Sequence, residues 1–241
     1  MNNPNKSASR VAKNTLVLYL QRFFAAGLSL ITTPIILSAL GVEDYGLYTL
    51  IIGFVGMLTF LNWSLSSATQ RYIAVAIGQK DEKRIQNVFV TSLFIHLCYG
   101  LLFLLVILVL GNFFSEAILN IPDNKVATAK TLFTIVAGIT FFTILSIPFL
   151  GVLRAHENFF LIAVTGITES ILKLGIALLL LVATQDKLLF YAKLLLALSL
   201  LVFLIYAVSV KRKYTHLSFA IFKPDSLLIR EMLAFVSWSF L

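Results

Sequence analysis

The chain has 241 residues, 59% of them hydrophobic and 12% charged, and 19 Lys and Arg outnumber 11 Asp and Glu for a net charge of +8. Its mean hydropathy of +0.95 lies far from water-soluble domains, because this much Leu, Ile, Val and Phe cannot be hidden without lipid. The positive charge is not a nucleic-acid footprint: Lys and Arg cluster beside apolar segments rather than in an exposed basic module, so no nucleic-acid partner is expected.

A bilayer core takes about 20 residues of helix to cross. Residues 23–42, 45–70, 85–115 and 131–153 contain no Asp, Glu, Lys or Arg. Residues 194–210 are slightly shorter, and 158–185 are interrupted only by Glu169 and Lys173. In chain order the sequence predicts a tail over 1–14 and a six-helix lobe over 15–210, with spans near 15–39, 45–70, 87–112, 130–153, 159–184 and 189–210. A basic loop over 211–230 and the start of a seventh span over 231–241 follow. Gly41 and Gly46 flank an acidic turn over 42–45, which predicts an antiparallel hairpin of the first two helices. The longest outer loop, 113–129, holds Pro122 and Asp123. Pro34 and Pro148 fall inside spans, where proline tends to kink a helix.

The predicted fold class is therefore all-α, a polytopic transmembrane bundle. Barrel strands alternate apolar and polar residues over about ten positions, whereas residues 101–110 are apolar all round. The basic amino terminus leads into an apolar run too long for a cleavable signal peptide. The single Cys98 permits no internal disulfide. Basic residues favour one side of the spans, which predicts a cytoplasmic amino terminus and a place in the cytoplasmic (inner) membrane.

Polar stripes run along several spans. Thr15, Arg22, Ser29 and Thr33 share a face of the first; Thr59, Asn62, Ser66, Thr69 and Gln70 lead to Arg71 in the second. The third offers Ser92, His96 and Tyr99, the fourth Thr140 and Thr143, the fifth Thr165, Glu169 and Lys173. Hydroxyls alone read first as interhelical glue. Charges ask for more, because an ionised side chain at membrane depth costs roughly 2.5 kcal/mol or more and usually faces a partner or a watery cavity. Glu169 and Lys173 have the i, i+4 order of a helical ion pair. Arg22 lies about two turns inside its span, where snorkelling competes with a cavity role. Arg71 and Arg154, at helix ends, are more easily explained by snorkelling, and His96 reads as a packed residue rather than a proton carrier. No Gly-rich phosphate loop, metal-ligand spacing or Gly-x-Ser-x-Gly elbow is present, so neither an enzyme nor a cofactor is expected.

Residues 39–48, Ala-Leu-Gly-Val-Glu-Asp-Tyr-Gly-Leu-Tyr, resemble the LG-x-x-x-YG-x-Y signature of polysaccharide (O-antigen-type) flippases. These belong to the multidrug/oligosaccharidyl-lipid/polysaccharide exporter superfamily. The stretch 68–74, Ala-Thr-Gln-Arg-Tyr-Ile-Ala, and the turn Arg154-Ala155-His156-Glu157 extend the resemblance. It implies translocation of an anionic polyprenyl-diphosphate-linked sugar unit, by alternating access between two six-helix lobes around a cationic cavity. On that reading Arg22 and Arg71 hold the diphosphate, Asn62, Gln70 and Lys173 help to bind substrate, and Glu169 serves any ion coupling. Family members have twelve to fourteen helices, so a chain ending early in the seventh is expected to be a truncated amino-terminal lobe, or to pair with a second lobe or another copy. Two rivals remain. A drug or cation antiporter of the same superfamily predicts that acidic groups dominate the cavity. An integral-membrane glycosyl or acyl transferase rests on His156 and Glu157 alone.

Overall fold

The computed structural model describes residues 4–59, 61–117, 121–184, 186–215, 217 and 224–238. Seven α-helices are found among them: α1 (Pro4–Leu58), α2 (Leu61–Gly78), α3 (Glu82–Ala117), α4 (Val126–Ala155), α5 (Phe159–Val182), α6 (Lys187–Lys213) and α7 (Ser226–Trp238), with a short 3-10 turn (Asp123–Lys125) before α4. Five of them (α1 and α3 to α6) are long and apolar enough to cross a membrane. The chain is the polytopic all-α bundle its hydropathy predicts.

α1 is two helices in one. Gly41 has φ 79° and ψ 168°, a left-handed setting that glycine alone enters without penalty. The contacts on either side show that the chain reverses there. Asn14 Nδ2 lies 3.5 Å from Glu157, just before α5, and Ile36 packs with Ile176, Ala177 and Leu180 towards the far end of α5. Past Gly41, Asp44 pairs with Lys125 at the head of α4, and the Phe54 ring meets Phe133 further down α4. The first arm (residues 4–40) thus runs along α5, and the second (residues 42–58) returns along α4. The hairpin is the expected one, but its turn is Gly41 itself: residues 42–45, expected as the turn, are already helical. Glu43 and Asp44 then sit at the second arm's amino-terminal end, where acidic groups complement the helix dipole.

The span expected over 45–70 is broken. α1 stops at Leu58 and α2 starts at Leu61. Between them Thr59 N–H reaches the Gly56 carbonyl at 3.1 Å, and Asn62 N–H reaches the Thr59 carbonyl at 3.0 Å. The Thr59 hydroxyl also donates to Gly56 O at 2.8 Å, the local side-chain bonding that competes with helix continuation. α3 and α6 run past their expected ends, to Ala117 and Lys213, and α7 starts ahead of residue 231, at Ser226. Lys223 and residues 239–241 lie outside the described residues. Pro34 and Pro148 sit inside α1 and α4 without ending either helix.

α4 is the buried pillar of the bundle, packed by α2, α3 and α6. Close approach to α2 depends on Gly151, where an added Cβ would lie 2.6 Å from Thr69 Cγ2. Small residues at such crossings let membrane helices gain van der Waals contact that lipid cannot supply. α7 closes one end: Leu228, Met232 and Val236 enter a core with Ile73, Ala76 and Ile85. The Asp225 N–H donates to Thr91 Oγ1 at 3.1 Å, and its carboxylate accepts from Leu227 N–H at 2.9 Å, an amino-terminal cap.

Candidate substrate cavity

A cavity of about 560 Å³ lies between the second arm of α1, α4, α5 and α6. Much of its wall is apolar, as solute pockets are. Its polar part comes from Thr59, from Thr140, Thr143 and Ser146 of α4, from Glu169 and Lys173 of α5, and from Ser199 and Tyr206 of α6, with Tyr48 and Tyr191 at one end.

The charged pair sits on this wall. Lys173 Nζ is 2.7 Å from Glu169 Oε1, with the side chains 49% and 33% exposed. The i, i+4 ion pair is therefore formed, and it stays accessible because that face of α5 borders the cavity. Tyr206 lies near Glu169 and near Thr165, one turn before it. Tyr48 and Tyr191 meet edge to face, ring centres 5.2 Å apart.

The hydroxyls have a direction. Thr140 donates to Val136 O at 2.9 Å, Thr143 to Ile139 O at 2.9 Å, Ser146 to Phe142 O at 2.9 Å and Ser199 to Leu196 O at 2.8 Å. Each spends its proton on its own helix, so what remains for a solute is oxygen lone pairs. Together with the tyrosine ring faces and Glu169, the wall offers acceptors and π-electrons to a donor-bearing or cationic group.

The other residues expected at a site lie elsewhere. Arg22 and Arg71 are exposed, Asn62 and Gln70 half-buried, and none of the four lines this cavity. Arg71 stacks over the Phe235 ring of α7, 4.8 Å from its centroid. Arg22 is near enough to repel Arg154, whose Nη1 donates to Ser66 Oγ at 3.0 Å. An unbroken span would have carried Thr59, Asn62 and Ser66 on one stripe. Of these three only Thr59 lines the wall. Tyr48 and Tyr191 also line the cavity. Their signal was available in α6, where Tyr191, Leu195, Ser199, Val202 and Tyr206 recur every three or four residues and all line the cavity.

Membrane helices packed around a largely apolar cavity with a polar strip define a lobe of a helical membrane protein. A family model described as MatE matches residues 18–179, more than half of the chain, and the chain belongs to the MatE family. Three solved structures carry the likeness to whole folds. An outward-facing multidrug resistance MATE family transporter of the MOP superfamily is 20% identical, with a TM-score of 0.75 over 92% of this chain and 50% of that one. A MATE in complex with MaD3S is 18% identical, with a TM-score of 0.77 over 93% and 52%. A MOP superfamily transporter from Pyrococcus furiosus is 17% identical, with a TM-score of 0.74 over 93% and 51%, and is described as having a binding pocket of reverse polarity that suggests a different function. Likeness at such identities is likeness of fold. The chain spans about half the length of each of these proteins. No curated protein sequence matches it. Membership of the MatE family is thus shown, while the comparisons do not reach the polysaccharide-flippase branch expected from residues 39–48.

Proposed function

We propose that this chain forms one lobe of a multidrug-type MatE transporter, which moves amphipathic solutes with cationic or hydrogen-donating groups and is not an enzyme. The observation that carries this reading is the cavity wall, which combines outward-facing hydroxyl lone pairs, tyrosine rings and a solvent-accessible Glu169. A second lobe, supplied by another segment or another copy, would face the cavity across the membrane, with the amino terminus in the cytoplasm.

The polysaccharide-flippase reading retains the support of residues 39–48. It asks for cations that grip a diphosphate, a task suited to Arg forks. Arg22 and Arg71 lie off the wall, and among the described residues its charged groups, Lys173 and Glu169, are tied to each other, so the acceptor hydroxyls and the tyrosines separate the two readings. The multidrug reading therefore ranks first.

The test is efflux of a fluorescent organic cation from cells expressing the natural polypeptide that carries this sequence, with surface polysaccharide measured in parallel. Glu169→Gln is expected to lower cation efflux about tenfold, equivalent to ~1.4 kcal/mol of lost interaction, at unchanged membrane abundance. Restored surface polysaccharide without cation efflux would replace the multidrug reading by the flippase one.

A further inference from the structure

α2 and α3 run antiparallel, and one hydrogen bond sets their register: Thr69 Oγ1 lies 2.8 Å from Ser92 Oγ. Moving one turn at a time from that bond, in opposite directions along the two helices, brings Leu65 level with His96 and Asn62 level with Tyr99. Three polar atoms of this stretch are buried without a hydrogen-bond partner: Asn62 Oδ1, His96 Nε2 and the Tyr99 hydroxyl. Protein interiors seldom leave one such atom unpaired, and three along one seam call for a ligand.

The imidazole identifies that ligand. His96 is fully buried, and its Nδ1 lies 2.7 Å from the Ser92 carbonyl oxygen. A carbonyl only accepts, so Nδ1 carries the proton and Nε2 presents a lone pair. Asn62 Oδ1 also accepts, and the Tyr99 hydroxyl donates. The set fits a molecule that donates twice and accepts once, which describes water. An anion would meet two lone pairs, and a metal ion would find no carboxylate among these three residues. The seam and the cavity meet along the chain at one place: the N–H of Asn62 bonds the carbonyl of Thr59, which lines the cavity.

We propose that the α2–α3 seam binds a water that donates to Asn62 Oδ1 and His96 Nε2 and accepts from Tyr99, and that a proton arriving from the cavity through this water comes to rest on His96. One N–H bond forms at Nε2 as one O–H bond of the water breaks, and the water regains a proton from cavity water. The Nδ1–H goes on donating to the Ser92 carbonyl oxygen, and the imidazolium, now a donor at both nitrogens, gains one positive charge.

The groups around it set when this happens. α2 brings Thr69 and, beyond it, Arg71, turned onto Phe235 of α7. α4 brings Arg154, held by Ser66. α7 brings Asp225, whose carboxylate caps its own helix, and α3 itself brings Tyr99. Among the described residues no bond links the imidazole to either arginine or to the Asp225 carboxylate, so the proton depends on water in the seam.

The test is solid-state nitrogen NMR of the histidine-labelled full chain in bilayers, with His96 assigned by difference from His96→Asn. An unprotonated Nε2 that receives magnetisation from water and converts to imidazolium on acidification is expected. Asn62→Leu with Tyr99→Phe is expected to remove both the water transfer and the conversion. Should that double variant fail to insert, Tyr99→Phe alone, which keeps the ring, is expected to weaken the water transfer severalfold. A protonated Nε2 at neutral pH, an Nε2 without water contact, or an acid conversion unchanged in the variants would each overturn the proposal.

Discussion

At the scale of single residues, the Glu169–Lys173 pair and the Lys125–Asp44 pair look alike but do different work. The first lies along one helix and borders a cavity; the second ties the head of α4 to the α1 hairpin across 81 positions of sequence. Lys125 lies outside the membrane-spanning segments, and its ammonium is held above the usual lysine range, chiefly by the hydrogen bond to Asp44. A raised folded value means that the charged form contributes stability in full below the unfolded lysine value, about 10.4, and loses it as pH climbs through the folded one. Lys125→Met is therefore expected to lower the unfolding temperature in detergent at neutral pH, with the difference from wild type closing at strongly alkaline pH. A difference that persists there would assign the effect to packing. The i, i+4 spacing made the Glu169–Lys173 pair readable in the sequence. Nothing in the spacing of Asp44 and Lys125 announces theirs, because it exists only once the chain has turned at Gly41.

At the scale of elements, two glycines carry separate loads. Gly41 supplies a φ of 79°, and Gly151 supplies room for Thr69. Gly41→Ala forces an L-residue into the left-handed region at a cost of roughly 1–2 kcal/mol, and a lowered thermal midpoint in detergent is the expected readout. Gly151→Val presses on Thr69 and is expected to cost roughly 1–3 kcal/mol as α2 and α4 separate. Gly175→Val on α5, where nothing lies within 4 Å of the added carbon, is the matched control and should change the midpoint little. Equal losses at 151 and 175 would remove close packing as the reason for Gly151. Hydropathy placed most helix ends within several residues of where they lie, but it missed the helical run ahead of residue 15, which starts at Pro4, and the extension of α2 to Gly78, and it passed over the break at Thr59. A break inside an apolar run leaves hydropathy unchanged; it depends on backbone and hydroxyl bonds among Gly56, Thr59 and Asn62.

At the scale of the whole molecule, the lobe has two ends, and their sidedness is open to direct labelling. In a Cys98→Ser background, cysteine at Lys80, in the turn between α2 and α3, is expected to react with a membrane-impermeant maleimide only from the cytoplasmic side. Cysteine at Lys125, at the opposite end, is expected to react only from the outer side, and the reverse pattern would invert the orientation drawn from the basic residues.

Membrane residence, the all-helical class and the charged turn of α5 are properties of contiguous residues, set by hydropathy over some twenty positions and by spacing within one helical turn. Which polar stripes meet is another matter. Arg22, Asn62, Gln70 and Arg71 sit on stripes as regular as that of Glu169 and Lys173, yet they pack against other helices or face outward, while Tyr48, Tyr191 and Tyr206 complete the cavity. A helix's own residues give its stripe an angle about one axis. The direction that angle faces is decided by the neighbours packed around it, here by the reversal at Gly41 and the close seat of α2 on Gly151.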